Sequence, residues 1–205
     1  GIDLSMFKDI LFEHEDPARA AELFLVHVRG LQQNLEALQQ CRKPVLAAMH
    51  GAIVGGAIDM TCYADMRYVD RTASFCVKEI DIGIVADVGT LQNLPSLIPE
   101  GLVRELAYTG RTMGPDEALQ AGLVNKVFDD RDALLAGVRE IALTIAAKSP
   151  LAIRGTKQVI NYTRDHSVDD GLEYVALWNA AMMSKVDVQE AMTATLERRA
   201  GHFAD

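Results

Sequence analysis

The chain has 205 residues, 49% of them in the hydrophobic class, and a net charge of −9 at neutral pH. That length can bury one substantial core, so one main domain with an appendage is expected. The acidity excludes nucleic acid and anionic membrane surfaces as default partners, because both would repel the chain at long range.

The chain opens on Gly1-Ile2-Asp3-Leu4, which has no initiator Met and reads like the middle of an element, so an upstream segment is expected to be missing. Asp16-Pro17 is a helix start, with proline at the first helical position. Phe24, Val28, Leu31, Leu35 and Leu38 then recur at three- and four-residue spacing, which predicts a long amphipathic helix over about 17–40. Arg42-Lys43-Pro44 closes it. Residues 45–49 are a continuous apolar run between breakers and predict a strand buried on both faces. Residues 51–57 read as a glycine-rich link into a short helix through Ile58, Asp59, Met60 and Cys62. Two strands, 66–69 and 74–77, are expected to pair across Asp70-Arg71-Thr72. This alternation predicts an α/β architecture.

From Thr90 onward the pattern is mainly helical, broken by Gly110 and by one strand-like stretch over 123–128. Pro115-Asp116-Glu117 opens a helix with early acids, and Gly122 ends it. Ser149-Pro150 and Ser167-Val168-Asp169-Asp170 start two more, and Asp187-Val188-Gln189-Glu190 has the spacing of a capping box. Residues 1–145 are therefore expected to form the α/β core and 146–205 a helical appendage. No run of about 18 apolar residues and no basic-then-apolar N-terminus occurs, so neither a membrane segment nor a signal peptide is predicted. Cys41, Cys62 and Cys76 are an odd number with no CxxC spacing and no Cys/His cluster, which points to a reducing compartment and to no disulfide framework or metal site.

The unusual stretch is 51–90, where glycines and carboxylates lie among apolar residues. Asp59 sits beside Ala57, Ile58 and Met60; Glu79 and Asp81 follow an apolar strand; Asp87 lies between Ala86 and Val88. Lost hydration raises the pKa of such acids and lets one donate a proton near neutral pH. Gly55-Gly56, at a strand-to-helix junction, leaves amide N–H groups uncovered where negative charge is favoured. Taken singly, a glycine pair before a helix is more often a packing device, and an acid in apolar text more often a solvated end.

Residues 43–51 (Lys43-Pro44 through His50-Gly51), then Gly55-Gly56 and Asp65-Met66-Arg67-Tyr68, resemble the signature of the enoyl-CoA hydratase/isomerase, or crotonase, family. The resemblance continues through Gly89-Thr90-Leu91, Leu94-Pro95, Thr109-Gly110-Arg111, Ala121-Gly122-Leu123-Val124 and Lys148-Ser149-Pro150, nearly the whole chain. It implies a crotonase-like fold of repeated β-β-α units, here lacking its first strands, with a C-terminal helical trimerisation region. It also implies that two backbone N–H groups, Ile2 and Gly56, hold the thioester carbonyl of an acyl-CoA. Each such donor is worth roughly 10²–10³ in rate. Coenzyme A would be part of the substrate, with no separate cofactor and no metal.

Within the family, Asp at 59 and a third acid at 87 depart from the hydratase pattern and are similar to the Δ3,5-Δ2,4-dienoyl-CoA isomerases. That likeness assigns a proton shuttle to Glu79 and Asp87, with Asp59 tuning the pair or polarising the diene. Three ionised carboxylates crowded together would repel, so at least one is expected to be protonated at rest. Other implications are a homo-oligomer, trimer or dimer of trimers, no membrane or nucleic-acid partner, and a bacterial-type cytoplasm, or mitochondria or peroxisomes in a eukaryote. The rivals are an enoyl-CoA hydratase using Asp59 and Glu79 around a water, and a non-catalytic or RNA-binding relative. His50 is read as structural, the other histidines as surface or packing residues, and Arg154, Lys157 and Arg164 either as contacts of CoA phosphates or, no less readily, as a solvated basic face.

Overall fold

In the computed structural model, which describes residues 14–204, Asp16 starts the first helix by accepting a hydrogen bond from the Ala18 N–H at 2.9 Å. With Pro17 at the first position, α1 runs Pro17–Gln40, the span predicted. None of its side chains is fully buried, and Leu23, Phe24, Leu25 and Val26 are exposed.

β1 (Leu46–Met49), β2 (Ala52–Val54), α2 (Gly56–Cys62), β3 (Met66–Asp70) and β4 (Ser74–Cys76) follow in order. β1 pairs parallel with β3, Leu46 opposite Met66, and β3 pairs parallel with β5 (Lys126–Phe128), Val69 opposite Val127. β2 and β4 form a separate parallel pair, Ile53 opposite Phe75. Each β-β pass therefore steps from one sheet to the other, and α2 returns the chain to repeat the step. The two corners are tied together: the Gly51 N–H donates to the Thr72 hydroxyl at 3.0 Å and the Ser74 N–H to the Gly51 carbonyl at 2.8 Å.

This topology corrects three expectations. Residues 51–57 are not merely a link, because β2 occupies their middle. β3 and β4 do not pair with each other. The turn between them is real, with Asp70 accepting from the Thr72 N–H at 2.8 Å and hydroxyl at 2.6 Å, but it turns a corner between sheets, and each strand satisfies its backbone on a parallel neighbour. β1, expected to be buried on both faces, is half-buried along its length, since it stands at the edge of the β1-β3-β5 sheet among the described residues.

The chain divides into two units, one comprising Val45–Ala136 with the chain up to Cys41, the other Arg42–Pro44 with Gly137 onward. In the first, Val69, Phe75, Leu94, Leu106, Met113 and Leu123 are almost wholly removed from water. Burial of each such side chain stabilises by about 1.5–3 kcal/mol. Arg67 is buried among them, donating from Nε to the Leu123 carbonyl at 2.7 Å and from Nη1 to the Ala64 carbonyl at 2.6 Å. Its aliphatic stem packs while its charge is met by backbone oxygens. α3 (Thr90–Asn93), α4 (Glu100–Thr109) and α5 (Pro115–Ala121) complete this unit, α5 ending at Gly122 as its sequence predicts.

α6 (Arg131–Ala146) crosses the boundary by sequence, and the second unit continues with α7 (Pro150–Arg164), α8 (Val168–Met182) and α9 (Lys185–Glu197). Ser149 caps α7, and Ser167 with Asp170 forms the expected capping box on α8. α9 begins earlier than its sequence suggests: the capping side chain is Ser184, which accepts from the Asp187 N–H at 3.1 Å. Asp187 is thus the third helical residue, and its carboxylate receives the Ser149 hydroxyl instead.

α7 and α8 cross through two small residues, Gly155 against Trp178 and Gly171 against Thr163. A Cβ on Gly155 would lie 2.2 Å from the Trp178 Nε1 and 2.6 Å from its Cε2, a collision a rigid indole cannot absorb. Gly155→Ala is therefore expected to destabilise the second unit by about 1–3 kcal/mol, the usual cost of overpacking. Urea unfolding followed by Trp178 fluorescence checks this; an unchanged midpoint would show that the two helices are not held this closely.

Candidate active site

Gly55 and Gly56 form the junction between β2 and α2. Gly55 has φ 54° and ψ −124°, a conformation that favours glycine, and it begins α2 without any side-chain cap. Its own N–H donates to the Cys76 carbonyl at 3.1 Å, fastening the end of β2 to β4. Gly56 is the first residue of α2, and the leading amides of a helix have no acceptor within it. A Cβ on Gly55 would lie 3.0 Å from the Glu79 Oε1, so this acid packs directly against the glycine backbone.

Glu79 reaches that place by opening the 3-10 turn Glu79–Ile82 just after β4. It is half-buried, and its Oε2 is shielded from water without a hydrogen-bond partner among the described residues. Asp59 lies in α2 itself, 1% exposed, and its Oδ1 accepts from the Thr90 N–H at 2.8 Å. Asp87 is half-buried in the segment entering α3. Burial is the largest influence on both Asp59 and Glu79 and pushes each carboxyl upward. Asp59 is partly restrained by its bond from Thr90 and raised further by the charge of Asp87, while Glu79 is raised further by Asp59 and Asp87. The three acids predicted from sequence therefore stand in one another's field, where ionising all of them together is disfavoured. Among the described residues no group of three or more His, Cys, Asp or Glu is arranged to hold a metal ion.

Four polar contacts hold the segment leading into α3, and sequence reasoning missed every one. Gln32 donates from Nε2 to the Asp87 carbonyl at 2.6 Å, Tyr63 from its hydroxyl to the Val88 carbonyl at 3.3 Å, and Asn93 from Nδ2 to the Gly89 carbonyl at 3.0 Å. The fourth is the Thr90 N–H on Asp59. A glutamine on an amphipathic helix and a tyrosine just past a short one carry no local signal of such a role.

The remaining candidates are placed differently. Ile2 lies outside the described residues. Asp81 forms a surface ion pair with Lys78 and lies against Gly110, and His50 is exposed. Cys62 and Cys76 are buried and unpaired by disulfides, as expected of small core residues. Burial first, then the charge of Asp59, pushes the Cys62 thiol up to about 12, so it stays protonated at neutral pH. Lys157 is corrected: it is buried and donates from Nζ to the Lys43 carbonyl at 3.1 Å, so it is not a surface cation. Arg164 is exposed.

A raised carboxyl in the folded state binds its proton more tightly than the unfolded chain does, so its ionisation weakens folding as pH rises from the ordinary value near 4.5 through the raised one. Glu79→Gln removes that penalty and is expected to raise the unfolding temperature at pH 7–8. The gain should disappear on acidification, where the native glutamate is protonated in both states. Thermal unfolding of the two proteins between pH 4 and pH 8 checks the sign, and a gain that grew toward acid would contradict it.

A sequence profile of the enoyl-CoA hydratase/isomerase family matches residues 21–205. The peroxisomal Δ(3,5)-Δ(2,4)-dienoyl-CoA isomerase of Arabidopsis thaliana is 44% identical over 207 residues, covering 100% of this chain and 74% of that protein. The human mitochondrial protein of the same name is 43% identical over 202 residues, covering 97% of this chain and 62% of its own length. The crystal structure of an enoyl-CoA hydratase from Bacillus anthracis superposes with a TM-score of 0.83 at 29% identity, over 93% of this chain and 71% of that one. The chain belongs to the enoyl-CoA hydratase/isomerase family, and its parallel sheets with a helical C-terminal region are the crotonase-like α/β fold expected from sequence. It spans about two thirds of the length of these relatives.

Proposed function

We propose that the chain is an isomerase that converts 3,5-dienoyl-CoA into 2,4-dienoyl-CoA, with Glu79 and Asp87 as the proton shuttle, in fatty-acid β-oxidation. The observation that carries this is the pair itself: two half-buried carboxylates, with the charge of Asp87 raising Glu79 and Glu79 packed on Gly55 at the start of α2. One carboxylate takes a proton from C2, and the electron pair spreads along the conjugated chain onto the thioester oxygen. The N–H groups of Gly56 and Ile2 hold that oxyanion. The other carboxyl then delivers a proton to C6, leaving double bonds at C2 and C4. No atoms are gained or lost, and one proton passes from the second acid to the first.

Asp59 has a different part. Its Oδ1 is committed to the Thr90 amide, so it holds the neighbouring segment and, through its field, keeps Glu79 inclined to carry a proton. Exposed apolar residues of the second unit, among them Leu177, Met183, Val186, Met192 and Leu196, support assembly as a trimer or a dimer of trimers. The compartment follows the host, cytoplasm in a bacterium and mitochondria or peroxisomes in a eukaryote.

The test is the ultraviolet absorbance of the conjugated 2,4-dienoyl thioester, which is expected to grow when purified chain meets a 3,5-dienoyl-CoA. Formation of 3-hydroxyacyl-CoA from a 2-enoyl-CoA, without dienoyl turnover, would replace this reading by a hydratase.

A further inference from the structure

Residues 85–88 make no main-chain hydrogen bond to other main-chain groups among the described residues, although Ala86 and Val88 are buried. A segment of that kind needs other partners for its carbonyls. Here three successive carbonyls, those of Asp87, Val88 and Gly89, each receive a side chain from a different helix or helix end: Gln32 on α1, Tyr63 just past α2, and Asn93 on α3. Gly89 meanwhile adopts φ 135°, and the Tyr63 ring crosses it so closely that a Cβ would lie 2.4 Å from the Tyr63 Cε2.

We propose that Gln32 and Tyr63 are positioning residues for Asp87, fixing the direction of its carboxyl by holding the two peptide planes that follow its Cα. This rests on the isomerase reading above. The bond from Gln32 sets the plane of the Asp87–Val88 peptide, and the bond from Tyr63 sets the next. With both held, the chain on the C-terminal side of Asp87 is fixed, which narrows the directions its side chain can take when substrate binds. A carboxyl that takes or gives the proton must meet its carbon within a few tenths of an ångström, and a misplacement of about 1 Å can cost about a hundredfold. Neither residue touches the acid's oxygens, so both act through the backbone.

The test compares Gln32→Met, which keeps the side-chain length and removes the donor, with Tyr63→Phe, which keeps the ring and removes the hydroxyl. Gln32→Met is expected to lower kcat on a 3,5-dienoyl-CoA by about 10- to 100-fold with KM within about threefold, and Tyr63→Phe by a smaller factor. Amide hydrogen exchange over residues 85–89 is expected to quicken in both variants while the unfolding temperature changes little. Unchanged kcat in Gln32→Met, a loss confined to KM, or unchanged exchange over 85–89 would each overturn the proposal. Should Tyr63→Phe fail to fold, Gln32→Met decides alone, since α1 contributes no buried side chain to the core. Should the unaltered chain not turn over the dienoyl-CoA, the functional reading fails, and the exchange measurement still decides whether these side chains hold the segment.

Discussion

Glu79→Gln and Asp87→Asn are each expected to lower kcat for 3,5-dienoyl-CoA by about 10²–10⁴-fold, with KM within about threefold. Both replacements keep the shape of the side chain and exchange the ionisable carboxyl for an amide that can neither take nor give the proton. The two variants should also differ from each other in deuterium oxide. The one lacking the C2 base cannot wash deuterium into C2, whereas the one lacking the C6 acid can do so without forming product. Following the substrate by nuclear magnetic resonance therefore assigns the two ends of the shuttle. Near-full turnover in either variant would remove that residue from the chemistry. Glu79→Gln should at the same time gain stability at neutral pH, because it deletes a charge that burial and two neighbouring acids oppose. Opposite signs for stability and rate in one substitution are the mark of a residue retained for function.

Much of the helical layout was legible because helix ends are written locally. Asp16-Pro17, Ser149-Pro150 and the Ser167/Asp170 box each place a side-chain acceptor at an amide that needs one, and the neighbouring residues alone decide it. α9 shows the limit of such signals. Ser184 and Asp187 are both competent caps, and the choice fell to Ser184 while the Asp187 carboxylate was drawn to Ser149, 38 residues away. Strand pairing was less legible for the same reason. β2 is three residues long and lies in glycine-rich text, too short to show a period. The turn at Asp70 could be read, but whether it closes a hairpin or turns a corner depends on parallel partners distant in sequence.

The site divides in a similar way. Asp59, Glu79 and Asp87 stood out because carboxylates are costly among apolar residues and need a reason to be there. Gly55-Gly56 stood out because a glycine pair at a strand-to-helix junction signals a backbone closed to most residues, and Gly55 adopts one, with φ 54°. Gln32, Tyr63 and Asn93 did not, because a polar side chain that meets a backbone carbonyl elsewhere in the chain looks like any surface residue until the fold brings the two together. Lys157 was misjudged for the reverse reason: a lysine reads as solvated, yet this one is drawn inside by the Lys43 carbonyl.

Gly89→Ala is expected to be the most damaging single-methyl substitution in the first unit, because it meets two penalties at once. At φ 135° an L side chain is strained, a cost of about 1–3 kcal/mol, and the new Cβ would collide with the Tyr63 Cε2 at 2.4 Å and hydroxyl oxygen at 2.5 Å, adding about 1–3 kcal/mol. The ring cannot retreat without dropping its bond to the Val88 carbonyl, so the segment bearing Asp87 must shift and turnover should fall by at least about a hundredfold. Gly83→Ala separates the two penalties. Gly83 also has positive φ, 76°, but a Cβ there meets nothing within 4 Å, so it should cost about 1–2 kcal/mol and leave kcat nearly unchanged. Adding Tyr63→Ala to Gly89→Ala removes the collision and keeps the strain. Relative to Tyr63→Ala alone, the alanine at 89 should then cost little more than the one at 83. If Gly89→Ala instead unfolds in urea with Gly83→Ala, the ring does not lie across this backbone, and the contact between Tyr63 and the Asp87 segment is lost with it.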